Sequence, residues 1–113
     1  MPVAPKKVLV GDTDPIVLAL LCHILNRQGF QAQPVAERDE LFRLMHDGEY
    51  DAVIVDALIE GAMDAILRAP DTAGRVIVTT VENDCVDGVY ATLRKPLEFA
   101  QLVDVVHKCV HGE

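Results

Sequence analysis

Five side chains carry what reactive chemistry this sequence offers: Asp12, Asp14, Asp56, Thr80 and Lys95. Each stands where an apolar run stops and a polar segment begins, at Val8-Leu9-Val10-Gly11, Ala52-Val53-Ile54-Val55, Val76-Ile77-Val78-Thr79 and Val89 to Leu93-Arg94. Three carboxylates brought to one edge repel each other, so they either bind a hard cation or one of them holds a proton. Mg²⁺ is the plainest remedy. A carboxylate beside Mg²⁺, with a hydroxyl and an ammonium in reach, is what phosphoryl transfer to an aspartate requires. Asp56 is then the nucleophile, Thr80 a hydrogen-bond donor to a phosphoryl oxygen, and Lys95 and the metal neutralise the transferring charge.

These residues share an edge only if the apolar runs are parallel strands. Lys7 to Val10 reads as a buried strand, and from Pro15 the apolar residues Val17, Leu20, Leu21, Ile24 and Leu25 recur at helical spacing. Asp14 is placed to cap that helix, Pro15 to begin it and Gly29 to stop it. Phe30 to Val35 alternates like a half-exposed edge strand, Leu41 to Met45 lies in a helix ending near Gly48, and Ala52 to Val55 is a fully buried strand. Gly61 to Ala69 can form a short helix before Pro70 breaks it. Val76 to Val78 and Val89 to Leu93 are further strands, and Phe99, Leu102, Val103, Val106 and Val110 make one stripe of a last helix. Strands alternating with helices imply one α/β domain over residues 1–113, with a parallel sheet covered on both faces and its chemistry at the strands' carboxyl ends.

Composition sets the bounds. With 113 residues, one domain fits. Half the residues are apolar but only 4% aromatic, so the core is aliphatic. Eighteen acidic residues against 10 basic ones give a formal charge of −8, with no cationic stripe for nucleic acid. No apolar run reaches the roughly 20 residues of a membrane span, and the amino-terminal residues lack a signal peptide's apolar stretch, so a cytoplasmic protein without membrane or nucleic-acid partners is expected. Cys22, Cys85 and Cys109 have no metal-ligand spacing and read as structural thiols. The four histidines also lack metal spacing and read as surface or half-buried groups.

The segment Lys7 to Pro15, an apolar strand running into acidic residues and a proline, resembles the opening of response-regulator receiver domains. Tyr50 to Asp56 is similar to that family's phosphoacceptor strand, Glu60-Gly61 falls where it often has Pro-Gly, Arg75 to Val81 resembles the strand bearing its signalling Thr or Ser, and Gly88 to Pro96 its fifth strand with a Lys-Pro ending. The resemblance spans nearly the whole chain. It implies a flavodoxin-like doubly wound five-stranded sheet in the order 2-1-3-4-5, phosphorelay signalling, and no enzyme activity beyond self-phosphorylation and self-dephosphorylation at Asp56. It further implies Mg²⁺ positioned by Asp12 and ligated by Asp56 and the backbone carbonyl of Leu58, and a phosphoryl group from a histidine kinase or histidine phosphotransfer protein.

Three features depart from the family pattern. Thr13 stands where a second acidic residue usually ligates the metal, leaving Asp14 as a substitute ligand and weakening Mg²⁺. Only residues 81–88 separate Thr80 from Val89, too few for the roughly 10–12 residues of a helical crossover, so the family's fourth helix gives way to a loop or single turn at Val81 to Cys85. Its loss is expected to bare apolar surface on the 81–99 face, including Tyr90, Thr92 and Phe99, for a partner or a second copy. Thr92 stands at the usual switch-aromatic position, and Tyr90 is displaced from it. Two rival functions remain: a phosphorylation-independent pseudo-receiver acting as an interaction module, and a haloacid-dehalogenase-like phosphatase using Asp12, whose Asp-x-Asp opening Asp12-Thr13-Asp14 resembles.

Overall fold

In a computed structural model, which describes residues 4–82 and 85–113, five strands form one all-parallel sheet in the order β2-β1-β3-β4-β5. The elements are β1 (Lys7–Gly11), α1 (Pro15–Arg27), β2 (Gln31–Val35), α2 (Arg38–Asp47), β3 (Ala52–Asp56), α3 (Ala62–Leu67), α4 (Pro70–Ala73), β4 (Val76–Thr80), β5 (Ala91–Arg94) and α5 (Phe99–Val110). This is the expected doubly wound arrangement. No described helix is long and apolar enough to cross a membrane.

The two-residue alternation of the strands sorts the core into two layers. Val8, Val10, Ala52, Ile54, Ile77 and Leu93 face α1 and α5, where Leu21, Leu25, Leu102 and Val106 meet them. Leu9, Val53, Val55, Val76 and Val78 face the other way, against Leu41 and Met45 of α2 and Ile66 of α3. Because β1, β3 and β4 are covered on both sides, their residues read as unbroken apolar runs. Gly11 ends β1 where a β-carbon would lie 2.6 Å from Leu41 Cδ2, so its lack of a side chain lets α2 close over the strand just before Asp12.

Local chemistry fixes the ends of α1 as expected. Asp14 Oδ1 accepts from the Ile16 amide at 2.9 Å, Pro15 occupies the first turn, and Gly29 turns the chain out with φ 92°. Cys22 and Cys109 are buried, and burial pushes both thiols up; Cys85 is exposed. All four histidines are exposed.

Three expectations need correction. The single helix over Gly61 to Ala69 is shorter, and Pro70 opens a second, one-turn helix, because a proline at the first helical position loses no hydrogen bond. β5 starts at Ala91 rather than Val89: Gly88 (φ 83°) turns the chain, and Val89 packs beside Val86 on the α2 and α3 face. These same valines correct the expected bare flank in part: they pack over the sheet, while Val81 and Phe99 stay 53% and 39% exposed. Residues 81, 82 and 85–90 carry no helix, and Asn83 and Asp84 of the anticipated loop lie outside the described residues. Val86 and Val89 nevertheless pack over the sheet, the Val86 amide donating to Thr92 Oγ1 at 3.0 Å, and Val76 and Val78 are fully buried.

Candidate functional site

Asp12 and Asp56, from adjacent strands β1 and β3, are 2% and 1% exposed. Two carboxylates this deep need a cation, and Lys95, following β5, supplies it. Its Nζ donates to Asp12 Oδ2 at 3.1 Å and to Asp56 Oδ2 at 3.3 Å, bridging the pair. The remaining oxygens are also held. Asp12 Oδ1 accepts from the Asp14 amide at 2.8 Å, Asp56 Oδ1 from the Leu58 amide at 3.0 Å, and Asp56 Oδ2 takes a further bond from the Thr13 hydroxyl at 3.1 Å.

Opposing effects set the charge of Asp56. Burial pushes its carboxyl up, but the Leu58 amide, the Lys95 ammonium and the Thr13 hydroxyl outweigh that and hold it below the usual carboxylate range. Burial pushes Lys95 down, while its hydrogen bond to Asp12 and the charges of Asp56 and Asp12 hold it above the usual lysine range. Asp56 is therefore a carboxylate and Lys95 an ammonium at neutral pH. An ionised aspartate is a competent nucleophile without a general base.

The structure thus joins three of the sequence-derived residues, Asp12, Asp56 and Lys95. Asp14 is not brought in: its carboxylate caps α1 and is exposed, because the chain must turn into the helix at that point. Among the described residues no group of three His, Cys, Asp or Glu side chains is arranged to hold a metal. Thr13, read from sequence as a lost carboxylate, is instead a hydroxyl partner of the acceptor. Thr80 lies at the end of β4, where its Oγ1 accepts from the Glu82 amide at 3.0 Å and its carbonyl accepts from the Lys95 amide at 2.7 Å, with no hydrogen bond to Asp56. Leu58 meets the site through its amide.

The three surface residues differ. Tyr90 packs against the α1 and α5 layer and donates its hydroxyl to the Glu113 carbonyl, so it is a packing residue in this state. Thr92 holds the β4 to β5 connection. Phe99 is 39% exposed and lines a small apolar groove of about 220 Å³ with Val17, Leu20, Pro96 and Leu97, next to Lys95. Sequence reasoning missed Thr79, whose hydroxyl is fully buried and unpartnered; the only signal was a second threonine beside Thr80.

Asp14→Ala is expected to cost about 1 kcal/mol of stability through the lost cap while leaving the Asp12, Lys95 and Asp56 contacts intact. Urea unfolding together with the Lys95 and Asp56 side-chain resonances checks both halves.

No protein-family profile matches the chain. The DNA-binding transcriptional regulator NtrC of Azospirillum brasilense is 29% identical over 118 residues, covering 93% of this chain and 24% of the relative. The chain therefore spans about a quarter of the length of the curated relatives it matches. Among solved structures, the receiver domain of the Francisella response regulator 1452 superimposes with a TM-score of 0.85 at 19% identity, covering 95% of this chain and 98% of that one. The response regulator TrrA of Thermotoga maritima, solved in complex with Mg²⁺ and beryllofluoride, gives 0.80 at 22% identity, covering 92% and 98%. Strand order, parallel pairing and near-complete overlap agree: the chain has the receiver-domain fold of response regulators.

Proposed function

We propose that this chain is a phosphoacceptor that takes a phosphoryl group onto Asp56 from a phosphohistidine of a histidine kinase or phosphotransfer protein, and signals by contact with other proteins. One observation carries the reading: Lys95 bridges two buried carboxylates at the carboxyl ends of β1 and β3. In the transfer, an Asp56 oxygen forms the new bond to phosphorus as the phosphorus to imidazole nitrogen bond breaks, and the imidazole leaves with that electron pair. Oδ2 is the reacting oxygen, because Oδ1 stays with the Leu58 amide. Lys95 and the Thr13 hydroxyl, both already on Oδ2, turn to the phosphoryl oxygens, and Thr80 supplies a further hydroxyl from the next strand. The reaction belongs in the cytoplasm, and the Phe99 groove, together with Tyr90 and Thr92, is the face that meets a partner.

The donor set fits Mg²⁺, which characteristically keeps several waters and takes one or two carboxylates. Asp12 and Asp56, with the Leu58 carbonyl, would hold it. When bound, it supplies positive charge beside the phosphoryl oxygens. Lys95 already occupies the space between the carboxylates, so the ion competes with an internal cation and binds weakly. Thr13→Asp is expected to raise Mg²⁺ affinity about tenfold by adding a ligand charge, and to lower the metal-free protein's stability. Titration followed by amide resonances and by thermal unfolding reads both.

The direct test is incubation with Mg²⁺ and a small phosphodonor, then mass spectrometry of the intact protein and its peptides. A single base-labile phosphoryl adduct at Asp56 supports the proposal. No adduct supports the second reading, a pseudo-receiver that binds partners unmodified, which the Thr13 substitution favours.

A further inference from the structure

β3 and β4 run side by side with Asp56 opposite Thr79, and β4 and β5 with Thr79 opposite Leu93. Ile54, Ile77 and Leu93 all belong to the layer facing α1 and α5. Two-residue alternation therefore puts the Asp56 and Thr79 side chains on that same side, and carries Lys95 there two residues after Leu93. Thr79 lies between the strand of the acceptor and the strand that leads to the ammonium. It is 0% exposed, and its Oγ1 is the one buried side-chain polar atom among the described residues without a hydrogen-bond partner.

A valine would fill this position with the same shape and no orphaned hydroxyl. Leaving a hydroxyl unpaired in the core is unfavourable, and such groups in native proteins call for an explanation. In the resting site it makes no hydrogen bond. Lys95 commits two of its three N–H groups to Asp12 Oδ2 and Asp56 Oδ2, and Asp56 Oδ2 already accepts from Thr13 and Lys95. The arrangement changes when Oδ2 is capped, because an oxygen bonded to phosphorus or beryllium is a poor acceptor. Lys95, two residues beyond the Leu93 that pairs with Thr79, then has a second proton to place.

We propose that Thr79 is a positioning residue of the phosphoacceptor site, its buried hydroxyl accepting a hydrogen bond from the Lys95 ammonium once a phosphoryl group or its mimic occupies Asp56 Oδ2. The inference rests on the phosphoacceptor reading of Asp56. It assigns the orphaned hydroxyl to the liganded state, with Thr79 directing the ammonium toward the phosphoryl group.

Beryllofluoride with Mg²⁺ is the probe, and the full chain is compared with Thr79→Val and Thr79→Ser. The ligand-free Thr79→Val protein is expected to melt no lower than wild type, and up to about 3 °C higher, because an unpaired polar group has been removed. Its beryllofluoride affinity falls about five- to tenfold, and Thr79→Ser restores it to within about twofold. A purely structural threonine would not move stability and affinity in opposite directions. Equal affinity in wild type and Thr79→Val overturns the role of Thr79 while leaving the acceptor reading intact. A ligand-free Thr79→Val protein that melts several degrees lower shows that the hydroxyl already has a partner, and also overturns it. Wild-type protein that ignores beryllofluoride overturns the acceptor reading, and this role with it.

Discussion

Asp56→Asn protein is expected to acquire no phosphoryl adduct under conditions that label wild type, a loss limited only by the sensitivity of the spectrometer. An amide oxygen lacks the charge to attack phosphorus. The fold should survive, since the side-chain oxygen kept at position 56 can still accept the Leu58 amide and Lys95 keeps Asp12. A melting temperature within a few degrees of wild type is the control that separates lost chemistry from lost structure. Asp12→Asn should slow labelling without abolishing it. The reverse pattern, with activity lost on Asp12→Asn and kept on Asp56→Asn, would instead support the phosphatase reading.

The second large effect concerns Lys95→Met. Methionine replaces the stem but leaves Asp12 and Asp56, each about 1% exposed at the side chain, without their shared cation. Removing one partner of a buried ion pair costs about 3–5 kcal/mol, and the partial exposure of Lys95 brings the expectation to about 2–3 kcal/mol at pH 7. That is roughly a 10 °C drop in melting temperature.

The loss should depend on pH, with a definite sign. In wild type the Asp56 carboxyl is held low, so its contribution is present above about pH 4 and fades as pH falls through the folded value. Lys95 is held high, so its contribution is present below about pH 10 and fades as pH rises through its folded value. Wild-type stability should therefore be nearly flat between those limits as far as this cluster is concerned. In Lys95→Met, burial and the neighbouring carboxylate push one carboxyl above its unfolded value. Its contribution is then fullest below about pH 4 and declines as pH rises, so wild type and variant converge in acid and separate toward neutrality. Mg²⁺ should recover part of the difference at pH 7 by replacing the missing ammonium. Denaturant unfolding at several pH values, with and without Mg²⁺, reads all three expectations.

Much of this was legible because buried parallel strands leave a plain trace. The runs Val8 to Val10, Ala52 to Val55 and Val76 to Val78 are apolar on both faces, and the residue ending each run falls at one edge of the sheet by topology alone. Asp14, Pro15 and Gly29 marked α1 through backbone requirements that few other residues meet. The misses share a different cause. Val86 and Val89 read as loop and strand because a short sequence window does not reveal that a turn at Gly88 folds both onto the α2 and α3 layer. Pro70 read as a breaker because the same residue ends one helix or starts another depending on what precedes it.

Within the site, types and order were legible and hydrogen bonding was not. Thr13 counted as a missing charge, although a hydroxyl one bond from Asp56 remains useful to it. Asp14 could be a cap or a ligand, and only the direction of the chain into α1 decides between them. The significance of Thr79 depends on which neighbours it lacks, which no local pattern encodes.

The most direct measurement is an amide resonance titration of the wild-type chain with Mg²⁺ and then beryllofluoride. The account predicts saturable shifts concentrated at residues 12–13, 56–58, 79–80 and 95, with Asp14 to Leu25 following weakly through α1. Unmoved spectra at millimolar ligand, or shifts gathered at the opposite edge of the sheet around Lys7, Gln31 and Tyr50, would contradict it.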